Sequence, residues 1–284
     1  MKYYILYNPL AGHGAHTEIN GDLQAKLGGE CVECNITEIE DYNKFLDSLS
    51  ADDVIVISGG DGTINRFVNA VDTDNITNDV LYYASGSGND FLHDVGKEPG
   101  CDPFKINQYL KNLPTVTVKG KTYRFINGVG YGIDGYCCEV GDKLKAEDKA
   151  VNYTTIAIKG LLFHFKPKNA KVVADGKEYS FKKTWIAPTM LGRFYGGGMM
   201  PTPEQSRLGD GSVSFMAFHG TGKLKTLMIF PSLFKGEHVK HTEAVEVIKC
   251  KEITVSFDEP CALQIDGETI LDVTSYTVHA NMNK

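Results

Sequence analysis

The sequence has no apolar run long enough to cross a bilayer, which excludes a helical membrane span. It has no basic excess either. Lys and Arg number 29 against 36 Asp and Glu, a net charge of -7, and no Lys/Arg-rich run offsets this. Broad nucleic-acid binding is therefore excluded as a function class. The opening Met1-Lys2-Tyr3-Tyr4-Ile5-Leu6-Tyr7 meets Asn8-Pro9 before it reaches signal-peptide length, and it carries no cleavage site, so a cytoplasmic protein is expected. The seven cysteines are an odd number, best read as reduced thiols. Cys31 and Cys34 lack a second CxxC pair, and the period-two alternation around them fits a strand better than a zinc site. Internal repeats and low-complexity segments are absent, and no turn carries GxGxxG or GxxxxGK[ST], so neither the dinucleotide fingerprint nor the Walker loop applies.

What is present centres on Val54-Ile55-Val56-Ile57-Ser58-Gly59-Gly60-Asp61-Gly62-Thr63. Four consecutive large apolar residues suit a strand covered on both faces, as in a parallel sheet. The glycines let the backbone approach a ligand closely, and Ile64, Phe67, Val68 and Val71 continue at helical spacing. A strand, a glycine turn and a helix start can hold a phosphate on backbone N–H groups, with Asp61 beside it for magnesium or a hydroxyl proton. On turn chemistry alone, a plain connection is an equal alternative.

The same unit recurs along the first hundred residues. Tyr3–Tyr7 reads as a strand closed by Asn8-Pro9-Leu10-Ala11-Gly12, followed by the helical stripe Ile19, Leu23, Leu27. Residues 32–36 read as a second strand ending at Thr37, then Tyr42, Phe45, Leu46 and Leu49 as a helix face. Residues 80–84 lead into Ser85-Gly86-Ser87-Gly88-Asn89-Asp90, a third glycine turn with a carboxylate. Alternating strands and helices predict a doubly wound parallel α/β domain with its ligand crevice at the C-terminal strand ends. After Pro114 short strand-like segments separated by turn signals predict a second, mainly antiparallel domain. The expected boundary lies at 118/119, near Lys119-Gly120-Lys121, giving domains 1–118 and 119–275. The last strand, 276–280, is a candidate to return with 276–284 to the first domain. One long helix is expected over about 143–165.

Six motifs in order carry a resemblance: Asn8-Pro9-Leu10-Ala11-Gly12, Gly59-Gly60-Asp61-Gly62-Thr63, Gly86-Ser87-Gly88-Asn89-Asp90, Gly130-Tyr131-Gly132-Ile133-Asp134, Gly196-Gly197-Gly198 with Asp210-Gly211, and Asp266-Gly267-Glu268. Across nearly its whole length the chain resembles the diacylglycerol kinase catalytic-domain superfamily, most of all its soluble bacterial branch. That resemblance implies an N-terminal doubly wound α/β nucleotide-binding domain and a C-terminal, mainly antiparallel β-sandwich domain, and a lipid kinase passing the γ-phosphate of ATP to the hydroxyl of diacylglycerol or a related lipid, with the nucleotide between the two domains. Phosphoryl transfer needs the γ-phosphate in line with the acceptor oxygen, its charge neutralised, and a base for the hydroxyl proton.

By the same resemblance Asn8, Pro9, Gly12, Thr37, Gly59, Gly60, Asp61, Gly62, Thr63, Gly86, Ser87, Gly88 and Asn89 would hold ATP. Asp61 and Asp90 would bind or orient catalytic magnesium, with Asp134 in their network, and Glu268 would be the general base, Asp61 being its competitor. A second, structural magnesium would sit on Asp210 with the carbonyls of Arg207 and Ser212. Turn chemistry alone leaves Asp266-Gly267 an ordinary hairpin, as it does Asp175-Gly176, and leaves Asp210-Gly211 a surface turn. Leu161-Leu162-Phe163-His164-Phe165 and Phe230-Pro231-Ser232-Leu233-Phe234 are candidates for the lipid surface, with burial in the core the stronger reading of such short runs. The expected partner is a lipid substrate at a membrane surface, met transiently, and a homodimer is the candidate assembly. Two rivals stand beside this reading: an NAD kinase, which shares the Gly59–Thr63 pattern, and a non-catalytic nucleotide or lipid sensor.

Overall fold

The computed structural model describes residues 1–9, 16–86 and 88–280. They form two compact units, Met1–Leu113 and Pro114–Lys284.

The first unit alternates as its apolar pattern requires: β1 (Tyr3–Tyr7), α1 (His16–Leu27), β2 (Cys31–Asn35), α2 (Tyr42–Asp47), β3 (Val54–Gly59), α3 (Asp61–Ala70), β4 (Asp79–Ala84), α4 (Asp90–Asp94), β5 (Phe104–Lys105) and α5 (Asn107–Leu110). The sheet order is β2-β1-β3-β4-β5, parallel through β4, with the two-residue β5 antiparallel at the edge. Ile55, Val56 and Ile57 on β3 are fully buried, so successive side chains pointing to opposite faces are both covered. Each such side chain contributes about 1.5–3 kcal/mol by leaving water. Leu23 of α1 packs with Ile5, Val56 and Tyr83, and Ile19 and Leu27 join from the same helical stripe. Asp41 starts α2 by accepting from the amides of Asn43 and Lys44, which would otherwise lack partners.

The second unit contains β6 (Thr115–Val118), β7 (Lys121–Arg124), β8 (Gly128–Tyr131), α6 (Ile133–Ala146), α7 (Tyr153–Lys159), β9 (Lys168–Ala174), β10 (Lys177–Thr184), β11 (Thr189–Met190), β12 (Val213–Phe218), α8 (Lys223–Ile229), β13 (Val245–Cys250), β14 (Glu252–Ile265) and β15 (Glu268–His279). All its strand pairs are antiparallel. The strand β14 pairs with β9 over 253–257 and with β8 over 263–265, with register shifts against β15 in between. A strand that changes neighbours across an irregularity turns a corner, and this bends one hydrogen-bonded network into the layers of a sandwich.

Three sequence expectations change. Lys119-Gly120 is not a linker: both residues have positive φ, 49° and 75°, and make the tight turn of the β6–β7 hairpin, so the boundary moves to 113/114. The segment 276–279 stays in the second unit, because β15 pairs with β14 on one side and with β6 on the other. The single long helix is two helices. Helix α6 begins ten residues earlier than expected and ends at Ala146, Asp148 takes a positive φ of 53°, and Asn152 caps α7 by accepting from the Thr155 amide.

Candidate active site

In the first unit, parallel register brings the ends of four strands to one edge. Tyr7 stands opposite Asn35 and Ser58, and Gly59 opposite Ala84, so Asn8-Pro9, Thr37, the 59–63 turn and the turn after β4 all leave the sheet on the same side. Gly12 and Ser87 lie outside the described residues. The second and third turns are in backbone contact. A Cβ placed on Gly86 would stand 2.4 Å from Gly60 Cα and 2.8 Å from its nitrogen, and one on Gly59 would stand 2.1 Å from Thr63 Oγ1. Ser85 donates its amide to the Gly59 carbonyl at 2.9 Å, and the Tyr82 hydroxyl donates to the same oxygen at 3.1 Å.

Asp61 joins these turns from its place in the first turn of α3. Its Oδ2 accepts from the Asp90 amide and its Oδ1 from the Phe91 amide, each at 2.9 Å, so the carboxylate fixes the start of α4. Asp90, the first residue of that helix, is buried. Asn89 donates to the Gly86 carbonyl at 2.9 Å, which shapes the turn from its own side chain. Thr37 is held by Asn35, whose Oδ1 accepts from both its amide and its hydroxyl.

The donor set of these turns fits a nucleotide phosphate and its magnesium. No side chain can enter where Gly60 meets Gly86, so the main chain of both turns stays open to a ligand that approaches closely.

In the second unit Gly132, with φ 116°, carries the chain from β8 into α6, a conformation that L side chains rarely adopt. Asp134 follows in the first turn of α6, buried, with Oδ2 accepting from the Tyr195 hydroxyl at 3.1 Å. Gly130 makes room for it: a Cβ there would stand 1.9 Å from Asp134 Oδ2 and 2.4 Å from Gln264 Nε2. Burial pushes the Asp134 carboxyl up to about 6, against its own amide, that of Gly135 and the Tyr195 hydroxyl, which favour the charged form. One turn on, the Cys138 thiol is pushed up to about 12, by burial first, then by Asp134 and Asp142, with Glu268 a smaller contributor.

Glu268 is exposed and opens β15, paired with Ile265 across the Asp266-Gly267 turn. Asp266 has a structural task. Its Oδ2 accepts from the Ile126 amide at 2.6 Å and its Oδ1 from the amides of Asn127 and Gly128 at 2.8 and 2.9 Å. Asp175, in the β9–β10 turn, does the same for the amides of Lys251 and Glu252. Both aspartates have left-handed backbone, φ 46° and 47°, so the two Asp-Gly turns are one device used twice. Beside Glu268, the Thr269 hydroxyl donates to Asp142 on α6 at 2.6 Å.

In the 207–212 segment the one carboxylate is held by local bonds and an ion pair. Asp210 Oδ1 accepts from the Ser212 amide and hydroxyl, and Oδ2 pairs with Lys249 Nζ at 3.0 Å. Those bonds, Ser212 first and Lys249 second, hold the carboxyl well below the usual range. The Ser212 carbonyl accepts from Gln205 Nε2 at 2.9 Å, and the Arg207 side chain donates to the Ile126 carbonyl and, at 2.9 Å, to Asn127 Oδ1. Lys249 thus pairs with the one carboxylate of the segment, and among the described residues no cluster of three or more His, Cys, Asp or Glu could hold a metal ion.

Sequence reasoning missed Tyr195, Lys249 and Asp142, each joined to its partner only by the fold. The only signal for Tyr195 was its place before three glycines. The proposed lipid segments divide by residue. Leu161, Phe165, Phe230 and Leu233 are core, whereas Phe163 is 71% exposed, as are Leu224 and Met228 on α8, at 78% and 81%. Lys223 Nζ donates to the Leu162 carbonyl at 2.8 Å and ties α8 to that turn. No helix among the described residues is long and apolar enough to cross a membrane.

Comparison with known proteins agrees over both units. Residues 2–119 match the diacylglycerol kinase catalytic domain, and residues 127–279 match the YegS C-terminal NAD kinase beta sandwich-like domain. The chain is 24% identical over 286 residues to a diacylglycerol kinase of Mycobacterium tuberculosis, covering 94% of this chain and 91% of that one. A crystal structure of a diacylglycerol kinase from Bacillus anthracis superposes with TM-score 0.59 at 18% identity, covering 99% and 94% of the two chains, a likeness of fold. With a catalytic-domain match on the first unit and a YegS-type match spanning most of the second, the chain belongs to the diacylglycerol kinase family of lipid kinases.

Proposed function

We propose that this protein transfers the γ-phosphate of ATP to the hydroxyl of diacylglycerol or a related long-chain alcohol, with magnesium. The observation that carries the proposal is the pair of glycine turns in backbone contact at Gly60 and Gly86, fastened by the two amide bonds of Asp61. Such a cradle presents backbone donors to phosphate oxygens at a distance no side chain would allow. Magnesium bound with ATP would neutralise the phosphate charge that builds during transfer. Asp61 and Asp90 would hold it, largely through water, and Asp61 would thereby act as a binding group and not as the base. Glu268 would accept the proton of the attacking hydroxyl. Its support is its place on a hairpin fixed by three Asp266 bonds, a rigid mount for an exposed carboxylate.

The lipid acceptor is supported by one surface of the second unit. Residues 159–166 and 223–235 contain no acid in a chain of net charge -7, and they present Phe163, Leu224 and Met228 among Lys159, Lys166, Lys223 and Lys225. Lys225 is paired with Glu243 at 2.8 Å and Lys223 with the Leu162 carbonyl, and exposed apolar side chains with lysines close by in the sequence suit an anionic bilayer surface, which takes apolar groups at its boundary and attracts cations. The proposed site of action is therefore the cytoplasmic face of a membrane, visited transiently. The test is incubation with γ-labelled ATP, magnesium and a panel of diacylglycerol, sphingoid base, ceramide, polyprenol and NAD. Label in a lipid is expected. Label in NADP alone would reassign the chain to nicotinamide phosphorylation, and no transfer would favour a nucleotide or lipid sensor.

A further inference from the structure

Segment 126–128, which enters β8, has every polar group of its main chain engaged, and each partner is distant in sequence. Asp266 takes its three amides, and the Gly128 carbonyl accepts from the Asp266 amide at 3.0 Å, which seats the β14–β15 turn on the segment. The Asn127 carbonyl accepts from the Leu191 amide at 2.9 Å. The Ile126 carbonyl accepts from Arg207 Nη1, while Nη2 of the same guanidinium donates at 2.9 Å to Oδ1 of the buried Asn127. One planar group therefore grips two consecutive residues, a task that suits a guanidinium fork and not an ammonium point. The Ile126 carbonyl and the Asn127 amide belong to one peptide unit, so that unit lies between a cation on its oxygen and the Asp266 carboxylate on its N–H. Each charge polarises the peptide toward the other and strengthens both bonds. The segment that carries Arg207 is anchored in turn, because Gln205 Nε2 donates to the carbonyls of Leu191 and Ser212 at 3.2 and 2.9 Å.

We propose that Arg207 is a positioning residue for Glu268: by holding this peptide from its carbonyl side it fixes Asp266, and with it the place of the carboxylate two residues on. The inference rests on the role of base proposed above for Glu268. In this role Arg207 touches neither substrate, so its loss lowers the rate of transfer and leaves the binding of both substrates alone.

The test compares Arg207→Met and Arg207→Lys with the unchanged protein; both substitutions keep the main chain of residue 207, and all three proteins are confirmed folded by thermal unfolding. Steady-state kinetics use γ-labelled ATP, magnesium and dioleoylglycerol in phosphatidylglycerol vesicles, and hydrogen exchange is read in peptides covering 124–130 and 264–270. Arg207→Met is expected to lower kcat about 10- to 100-fold with both KM values unchanged, and to speed exchange in both peptides. Arg207→Lys is expected to recover little of this, because one ammonium cannot hold the Ile126 carbonyl and the Asn127 side-chain oxygen together. An unchanged kcat in folded Arg207→Met, a loss that appears in either KM instead, or full recovery by lysine would overturn the proposal. If Arg207→Met unfolds at the assay temperature, Asn127→Ala takes its place, since it removes the Nη2 acceptor and keeps the amides that Asp266 holds. The same split with a smaller loss of kcat is then expected, and an unchanged kcat overturns the assignment. An unchanged protein that labels no lipid sinks the functional reading instead, and the exchange comparison then decides on Arg207 by itself.

Discussion

Replacing Gly86 by alanine tests the cradle by its geometry. The new Cβ would stand 2.4 Å from Gly60 Cα and 2.8 Å from Gly60 N, both main-chain atoms that cannot rotate away. Ordinary contact lies near 3.5–4.0 Å, so the two turns must part by about 1 Å. Overpacking of this kind costs about 1–3 kcal/mol. The functional cost should be larger in proportion, because a displacement of about 1 Å at a positioning element can lower turnover by a factor of about 100. Gly62→Ala is the paired control. A Cβ there meets nothing within 4 Å, and Gly62 is the second residue of α3, so alanine should raise stability by about 0.5–1 kcal/mol. Both variants belong in urea unfolding and Mg-ATP calorimetry beside the unchanged protein. Opposite signs of the stability change are expected, and Gly86→Ala is expected to lose Mg-ATP binding. A Gly86→Ala protein as stable and as tight-binding as its parent would refute the reasoning, and so would equal destabilisation by both.

Other substitutions probe the second unit. Asp266→Ala leaves three amides without their acceptor and should cost about 2–4 kcal/mol in urea unfolding, with Asp266→Asn recovering part of it; a loss below about 0.5 kcal/mol would deny Asp266 its clamping role. Burial raises the Asp134 carboxyl from 3.8 to about 6, so its ionised form burdens the folded state. That cost is absent below about pH 4 and full above about pH 6, roughly 3 kcal/mol at most, so Asp134→Asn should be the more stable protein at pH 8 and lose that advantage at pH 4. A pH-independent difference, measured in EDTA, would contradict this. Phe163→Ser, Leu224→Ser and Met228→Ser together should weaken binding to phosphatidylglycerol vesicles at least tenfold while leaving thermal unfolding unchanged, because these side chains are already in water. Equal vesicle binding would remove this surface from the account.

The sheet of the first unit was legible because its signals are local. Ile55, Val56 and Ile57 can be buried together only in a strand covered on both faces, and each glycine turn follows its strand directly. The Lys119-Gly120 hairpin was misread as a boundary because a tight turn and a linker use the same residues, and only the partner strand distinguishes them. The break between α6 and α7 is hidden in the sequence because Lys143-Leu144-Lys145-Ala146-Glu147 before it are good helix formers, and the interruption depends on the Asp148 backbone and the Asn152 cap. At the candidate site the acids were visible as motif members, but their partners were not. Tyr195 lies 61 residues from Asp134, and Lys249 lies 39 from Asp210, so the hydrogen bond and the ion pair exist only once antiparallel pairing has formed. Asp266 and Glu268 show the division most clearly: the turn carries both, yet one acid is consumed by three amides and the other remains exposed.

The central claim is phosphoryl transfer to a lipid hydroxyl with Glu268 as base, and the most direct measurement is γ-label incorporation into dioleoylglycerol by the unchanged protein beside Glu268→Ala. The account predicts labelled lipid with the first and a rate about 100- to 10,000-fold lower with the second, at unaltered Mg-ATP affinity. Equal transfer by both proteins would contradict the role of Glu268, and no labelled lipid with either would contradict the proposed function itself.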